Sequence, residues 1–384
     1  MSNIEETIAF IRGLYKTEEF IPLHAPVFLG REKEYLNNCI NSTFVSSVGE
    51  YVDKFEKMLC EYTGASFSIA TVNGTAALHS ALVLAGVKRD DEVLTQSLTF
   101  VATANAISYT GALPVFVDSE RSRLSMDPLS LREFLSENCV LNERGECINI
   151  KTKKVVRACV PMHTFGHPAD MDSIVDICKK YNIFIIEDAA ESIGSFTGGK
   201  HTGLKGDIGI LSFNGNKVVT AGGGGAIICN NENLAKKAKH VTTTARVIED
   251  WSYSHDEIGF NYRMPNINAA LVCAQLEKLP EIIKNKRETA SLYKKHFESS
   301  GIQFVDEPEN CQSNFWLNAI ALEDKKSRDE FLKLTNDQGV MTRPLWMPMH
   351  RLEIYKNFQK TSMENTDFLW ERIVNLPSSF RPNS

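Results

Sequence analysis

The sequence predicts an α/β protein with a large, doubly wound domain followed by a smaller α+β domain. Short apolar runs alternate with amphipathic segments from about residue 64 to residue 230, as expected for buried parallel strands joined by crossover helices. From Asn266 the pattern becomes long and helical. The chain has 384 residues, more than the roughly 250 to 300 that one hydrophobic core supports. We therefore expect two domains, residues 1–265 and 266–384.

Seven apolar runs in the first domain have the length and the β-branched composition of buried strands. They cover residues 67–72, 92–96, 113–117, 156–162, 183–187, 208–213 and 226–229. Amphipathic stretches such as residues 171–178 separate them and predict the helices that cover the sheet. Residues 142–154 are polar and aperiodic, which indicates a surface insertion between a helix and the next strand.

The second domain begins with a connector helix that starts at Asn266. Pro280 lies inside this helix and has no N–H group to donate, so we expect a kink or a restart there. Further along the chain, residues 315–322 and 340–345 predict strands, and residues 327–339 predict a helix. These elements indicate a small α+β unit at the end of the chain.

Composition and charge argue against several classes of function. The chain has 42 basic and 48 acidic residues, a formal net charge of -6, so no global basic field attracts nucleic acid or an anionic membrane. No stretch approaches the ~18 consecutive apolar residues of a membrane-spanning helix. The nine cysteines form no C-x-x-C pair. This argues against a structural metal site and predicts buried thiols in a reducing, cytoplasmic compartment.

The first candidate for chemistry is Lys217, which follows the buried strand 208–213 on a short Asn/Gly loop. Ligands of open α/β folds bind at the carboxyl edge of the sheet, where this loop is expected to lie. A lysine held in such a site can act as a nucleophile and form a Schiff base with a carbonyl compound. Taken alone, the segment is more typical of an ordinary solvated loop lysine, and only the other segments favour a reactive one.

A second candidate is the pair of acids that ends strand 183–187. Alternation along a strand directs Glu187 and Asp188 to opposite faces of the sheet. A carboxylate buried at a strand end needs a cationic partner, and a protonated pyridine nitrogen is one such partner. The alternative interpretation of Asp188 is a helix N-cap, because Ala189, Ala190 and Glu191 follow it.

Two strand-to-helix turns complete the set. Gly74 and Thr75 follow strand 67–72 and open a helix, whose free N–H groups and threonine hydroxyl suit a phosphate. Phe100 follows strand 92–96 and places an aromatic ring where a flat cofactor can be covered, although such a phenylalanine is also common in cores. The glycine run 222–225 is a similar case to Gly74 and Thr75, and it carries no nucleotide-triphosphate or dinucleotide motif.

In this order and spacing, the four segments resemble the fold-type I pyridoxal-phosphate enzymes, which have the aspartate-aminotransferase-like architecture. They are most similar to the DegT/DnrJ type of nucleotide-sugar aminotransferase. The resemblance covers nearly the whole chain, and it includes residues 21–23, 46–49, 259–264 and 375–379. Jointly these motifs are specific, although each one alone is weak.

The resemblance implies a role for each matching residue. Lys217 would form the Schiff base with pyridoxal 5'-phosphate and later move the proton between cofactor and substrate, and Asp188 would pair with the pyridinium nitrogen. Glu191 stands where many relatives have a glutamine near the 3'-oxygen of the ring. The remaining cofactor contacts implied are Gly74, Thr75 and Ser212 to the phosphate, Phe100 against the ring, and Asn261 to the phosphate of a neighbouring subunit. A homodimer with shared active sites follows.

The resemblance also implies a sugar substrate. The most similar members belong to legionaminic-acid and N-acetylbacillosamine-type pathways, and they share residues 161–166 and the motif 343–346. Such enzymes transfer the amino group of L-glutamate to a UDP- or GDP-linked 4-keto-6-deoxy sugar, in the synthesis of bacterial surface glycans. His163, Arg343 and His350 are the candidate substrate residues, although each is equally compatible with packing.

Three alternative functions share this fold or these ligands. A sugar dehydratase of the same fold carries histidine in place of the lysine, so Lys217 argues against it. A transaminase for a keto-octulosonate of lipopolysaccharide is not excluded by any residue. A catalytically silent sensor of pyridoxal phosphate or sugar nucleotide would not be expected to keep Lys217, Asp188 and Ser212 together.

Overall fold

The structure is a computed structural model that describes residues 3–247, 249, 251–298 and 300–382. Eleven α-helices occur among these residues. They are α1 (Asn3–Tyr15), α2 (Glu32–Ser42), α3 (Glu50–Thr63), α4 (Gly74–Leu84), α5 (Val101–Tyr109), α6 (Pro128–Asn138), α7 (Met171–Lys179), α8 (Glu232–Thr242), α9 (Asn266–Phe297), α10 (Lys325–Asp337) and α11 (Glu364–Trp370). None of the helices in these ranges is long and apolar enough to cross a membrane.

A seven-stranded sheet forms the centre of the large domain. Its strands are β1 (Phe67–Thr71), β2 (Glu92–Gln96), β3 (Leu113–Val117), β4 (Val156–Val160), β5 (Phe184–Asp188), β6 (Ile208–Ser212) and β7 (Gly225–Cys229). The strand order is β1-β7-β6-β5-β4-β2-β3; β7 runs antiparallel to both of its neighbours, and the other four pairs are parallel. All seven predicted strands are therefore confirmed, within two residues at each end. Their apolar side chains are buried on both faces.

The smaller unit contains a second sheet. Its strands β8 (Gln303–Phe304), β9 (Asn318–Ala321), β10 (Arg343–Pro344) and β11 (Ile373–Leu376) pair antiparallel in the order β8-β9-β11-β10. The sequence predicts a longer strand over 340–345, but only Arg343 and Pro344 pair with β11. Pro344 and Pro348 lack N–H donors, which limits the ladder at this edge. Helix α1 packs with α9 and α10 in the core of this unit.

The connector helix α9 runs without interruption from Asn266 to Phe297, and Pro280 lies inside it. The expected restart is therefore wrong. Residues on both sides of Pro280, including Leu276 and Ile282, are buried in the main core. Because this packing stabilises α9 from both sides, the helix tolerates the one backbone hydrogen bond that proline cannot make.

The remaining described elements are short. The predicted insertion 142–154 contributes to a hairpin, Cys139–Leu141 with Cys147–Asn149, and Asn149 is fully buried against Glu92. Phe196–Thr197 pairs with Lys200–His201 and with Cys311–Gln312, and Arg246–Val247 pairs with Ser254–His255. Thr164–Gly166 and Met349–Arg351 form single 3₁₀ turns.

Candidate active site

A cavity of about 320 Å³ lies at the carboxyl edge of the main sheet, where β5 and β6 end and helix α4 begins. This is the edge at which open α/β folds bind their ligands. Seven of the residues predicted from the sequence line it: Gly74, Thr75, Phe100, Asp188, Glu191, Ser212 and Lys217. Segments from 74 to 217 of the chain are thus brought together around one volume.

Lys217 lies on the turn that follows β6, and its side chain is only 14% exposed. Its Nζ atom donates a hydrogen bond to Glu191 Oε1 at 3.1 Å. The same atom lies 3.9 Å from the centroid of the Trp316 ring, in a cation–π contact. The lysine is therefore inside the cavity and held by two neighbours, rather than solvated on a loop.

Glu187 and Asp188 point to opposite faces of β5, as alternation predicts. The Glu187 carboxylate is hydrogen-bonded to His163 Nε2 at 2.9 Å. It also accepts hydrogen bonds from the backbone N–H groups of residues 203, 205 and 206. Burial alone would raise the pKa of Glu187, but these hydrogen bonds keep that pKa below its usual value. The Glu187 carboxylate is thus fully paired away from the cavity, which leaves Asp188 as the acid that faces it.

Asp188 is 4% exposed, and no cation forms an ion pair with it among the described residues. Its Oδ2 accepts the Thr103 hydroxyl at 2.8 Å, and its Oδ1 accepts the N–H of Ala190 at 3.2 Å. Burial raises the pKa of Asp188 above its usual value. Residues 189–195 form turns, so Asp188 caps no helix. A buried acid aimed into a cavity without its own cation suits a ligand that supplies one.

Glu191 is 3% exposed and joins the lysine to the neighbouring loop. Its Oε2 accepts the N–H of Phe165 at 3.0 Å, and its Oε1 accepts the Lys217 amine. Burial raises the pKa of Glu191 to about 7, although the charge of Lys217 acts in the opposite direction. A carboxyl group with this pKa can take up or release a proton next to the lysine near neutral pH.

Helix α4 presents its amino end to the cavity. Asn73 caps the helix, since its side chain accepts the N–H of Ala76 at 2.7 Å. The first N–H groups of a helix have no partner within the helix, and they attract anions. A Cβ at Gly74 would lie 2.9 Å from Cβ of Ser212, so only glycine lets this turn approach the end of β6 so closely. The amino end of α4 and the Ser212 side chain thus lie side by side in the lining of the cavity.

Aromatic rings form one wall of the cavity. Phe100 is half exposed, which excludes the core interpretation, and its ring lies 6.1 Å from that of Trp346. Trp346 also contacts Phe165 at 5.1 Å, and Phe165 contacts Trp316 at 6.3 Å. Phe100, Trp316 and Trp346 therefore present apolar ring surface to the cavity, and Phe165 packs against both tryptophans.

Several lining residues were not predicted as site residues from the sequence, among them Thr103, Trp316 and Trp346. Thr103 carries a local signal, because it lies one helical turn from Phe100 on α5. The tryptophans come from the smaller unit, about a hundred residues or more from the strands that they face. Nothing local in the sequence indicates such a contact.

The other predicted residues lie outside the lining of this cavity. His163 is fully buried and paired with Glu187. His350 bonds Ser97 Oγ at 2.7 Å and contacts Asp367 at 3.2 Å. Arg343 bonds Asn336 at the surface, and Asn261 is exposed and accepts the Nε–H of Arg263. In one copy of the chain, these four side chains hold neighbouring protein groups.

Comparisons with known proteins identify the family of this chain. The profile of the DegT/DnrJ/EryC1/StrS aminotransferase family matches residues 29–381. The chain belongs to this family. It is 38% identical over 361 residues to the GDP-perosamine synthase of Escherichia coli O157:H7. The matched region covers 94% of this chain and 93% of that protein.

Two further relatives are similar over most of their length. The chain is 37% identical over 363 residues to a Bacillus subtilis (strain 168) aminotransferase named as pyridoxal phosphate-dependent, covering 93% of this chain and 90% of that protein. A DegT/DnrJ/EryC1/StrS aminotransferase from Brucella abortus has a TM-score of 0.83 and 27% identity, covering 91% of this chain and 90% of that one. The predicted fold class, the aminotransferase activity and the pyridoxal phosphate cofactor are thereby confirmed.

The residues present fit this cofactor. The cavity offers a helix amino end for a phosphate, a buried acid without its own cation for a pyridinium nitrogen, and the amine of Lys217. The phosphate and the ring nitrogen would each meet protein groups of opposite charge.

Proposed function

We propose that this enzyme transfers an amino group from L-glutamate to a nucleotide-linked keto sugar, by way of Lys217. The observation that carries the proposal is the convergence of Lys217, Asp188, Glu191 and Ser212 on one cavity. Bound pyridoxal phosphate supplies an electron sink that stabilises negative charge on the substrate carbon. The protein supplies the rest: an amine, an acid for the ring nitrogen and a phosphate cradle.

In the proposed mechanism Lys217 moves the proton at the substrate carbon. The structure holds its amine between Glu191 and the Trp316 ring, in reach of the cavity. Glu191, whose pKa burial raises to about 7, lies next to this amine and can hold or release a proton there near neutral pH. Asp188 keeps the ring nitrogen protonated, because a negative charge in this buried position favours a positive partner.

A GDP-linked 4-keto-6-deoxy hexose is the sugar substrate we favour. Relatives from Escherichia coli O157:H7 and Vibrio cholerae, 38% and 33% identical, are both named GDP-perosamine synthase. Their names support GDP over UDP as the carrier. The setting we propose is the synthesis of bacterial surface glycans such as lipopolysaccharide. The nine cysteines are free thiols, which supports a reducing compartment such as the cytoplasm.

We further propose a homodimer in which Asn261 completes the partner's phosphate cradle. Asn261 is exposed and lies outside the cavity of its own chain. Large apolar side chains are exposed in two segments of the surface, 28–48 and 251–258. They are Phe28, Leu29, Ile40, Phe44, Val45 and Val48 in the first, and Trp251, Tyr253 and Ile258 in the second. Exposed apolar groups in such number are typical of a protein interface.

The reaction is tested by supplying L-glutamate and a panel of GDP-, UDP- and TDP-linked 4-keto-6-deoxy sugars, with production of 2-oxoglutarate and of the amino sugar as readouts. We expect turnover that depends on the sugar and a preference for GDP. The Lys217→Ala variant should lose the visible absorbance of the bound cofactor and all turnover, whereas Lys236→Ala, at an exposed ion pair, should keep both. Full turnover by Lys217→Ala would contradict the mechanism.

The panel also separates the alternatives. Turnover with a keto-octulosonate and none with any sugar nucleotide would identify the octulosonate transaminase. A cofactor spectrum that does not change on addition of glutamate would identify a silent binding protein.

Shared sites are tested with mixed dimers. Lys217→Ala and Asn261→Ala are each expected to be impaired alone. In a hybrid of the two, one of the two sites contains both native residues, so activity should return to a fraction of the native value. Hybrids with no activity above their parents would show that Asn261 does not act across the interface.

A further inference from the structure

Lys286 is a buried lysine that the mechanism does not use. It lies on the face of α9 that is turned to the smaller unit, and it is 2% exposed. Its Nζ atom donates to the backbone oxygens of Ser378 at 2.7 Å and of Trp316 at 3.1 Å. No carboxylate pairs with it among the described residues. Burial lowers the pKa of Lys286 to about 7.

Such an amine is expensive to bury, and an apolar side chain would cost less. Its two hydrogen bonds indicate what it provides. They join two segments of the smaller unit, the chain entering β9 and the chain leaving β11, to the connector helix. A methionine in its place would leave two buried carbonyl oxygens without donors.

The backbone oxygen of Trp316 accepts one of these bonds, and Trp316 makes three further contacts, two with the loop that carries Lys217 and one, through Asn314, with Glu191. Its indole Nε1–H donates to the oxygen of Asn216 at 2.8 Å, next to Lys217. Its backbone N–H donates to Asn314 Oδ1 at 2.7 Å, and the Asn314 amide donates to the oxygen of Glu191 at 2.8 Å. Its ring covers the amine of Lys217 at 3.9 Å.

We propose that Lys286 is a positioning residue: through the backbone of Trp316 it holds the indole ring against Lys217, and so sets the orientation of the catalytic amine. Lys286 touches neither the cavity nor the reacting atoms. The proposed route runs through Trp316, which contacts both Lys286 and the loop that carries Lys217. His24 also lies near Lys286, Lys217 and Asn216, and the double variant tests whether the Trp316 route carries the effect. The proposal rests on the proposed role of Lys217.

The test is a double-mutant cycle on the holoenzyme with Lys286→Met, Trp316→Phe and the double variant. Met keeps the length of the side chain without the donors, and Phe keeps a ring without the indole N–H. Each single change should lower kcat roughly tenfold, as the loss of a buried hydrogen bond does. KM for glutamate should change less than about twofold in Lys286→Met, because Lys286 does not line the cavity. If Lys286 acts through Trp316, the double variant should be no slower than the slower single variant.

A second readout does not depend on turnover. Competitive acetylation of the apoenzyme, followed by mass spectrometry, measures the reactivity of each lysine. Lys217 is 14% exposed, so loosening of the indole should raise its labelling several-fold in both single variants. Lys236 serves as the internal reference. Lys294→Met, on the same helix but in an exposed ion pair with Asp306, is the matched control and should leave kcat and labelling unchanged.

Two results would overturn the proposal. A double variant about a hundredfold slower than the native enzyme would show independent effects. Unchanged kcat and labelling in Lys286→Met, with only a lower free energy of unfolding, would make Lys286 a purely structural residue. If Lys286→Met does not fold, labelling of Trp316→Phe decides, and an unchanged Lys217 reactivity there refutes the idea. Altered labelling together with an active Lys217→Ala variant would instead refute the role of Lys217.

Discussion

Replacement of Gly74 by alanine tests the phosphate cradle directly. The new methyl group would lie 2.9 Å from Cβ and 3.2 Å from Oγ of Ser212, closer than carbon atoms normally pack. Because Ser212 ends a buried strand, it can move only by a few tenths of an ångström. Overpacking of this kind costs about 1–3 kcal/mol. Because this cost destabilises the conformation of the turn that binds the phosphate, the dissociation constant of the cofactor should rise about 5- to 150-fold.

The assay compares two ligands on the apoenzyme, pyridoxal 5'-phosphate and pyridoxal, by their visible absorbance on binding. The phosphate distinguishes them, so Gly74→Ala should weaken the first far more than the second. Gly13→Ala is the matched control, since Gly13 lies in helix α1 with no atom within 4 Å of the added Cβ. It should be neutral, or stabilising by about 0.5–1 kcal/mol, because alanine favours a helix. An equal loss for both ligands, or no loss, would show that this turn does not hold the phosphate.

Further predictions concern the two carboxyl groups in the cavity. Asp188→Asn should keep the fold but lower kcat roughly 100-fold or more, because an amide does not keep the ring nitrogen protonated; Glu187→Gln, on the opposite face, should instead lower the melting temperature. Burial raises the pKa of Glu191 to about 7 from 4.5 in the unfolded chain, so its stabilising contribution is complete below pH 4.5 and is lost as the pH rises through 7. Urea unfolding of the apoenzyme measures this. Between about pH 4.5 and pH 8, the free energy of unfolding of the native protein should fall by up to about 3 kcal/mol more than that of Glu191→Gln. Parallel pH curves for the two proteins would contradict this assignment.

The site residues at the carboxyl edge of the main sheet were predictable because the features that place them are local in the sequence. A strand followed by a Gly-Thr turn opens a helix, and alternation along β5 separates Glu187 from Asp188. These rules depend only on neighbouring residues and on the common edge at which parallel strands end. They are sufficient to place Gly74, Ser212 and Lys217 at one edge of the sheet, where the cavity lies.

Contacts between distant segments were decided by the tertiary structure alone. The sequence does not indicate that β7 runs antiparallel, that α9 continues through Pro280, or that Trp316 covers Lys217. Each depends on which surfaces pack together, and packing energy outweighs local preference. The same distinction applies to the residues of the site. Sequence alone identified Lys217 as the candidate nucleophile. Only the folded chain brings Glu191 and Trp316 into contact with its amine, and the buried Lys286 into contact with Trp316.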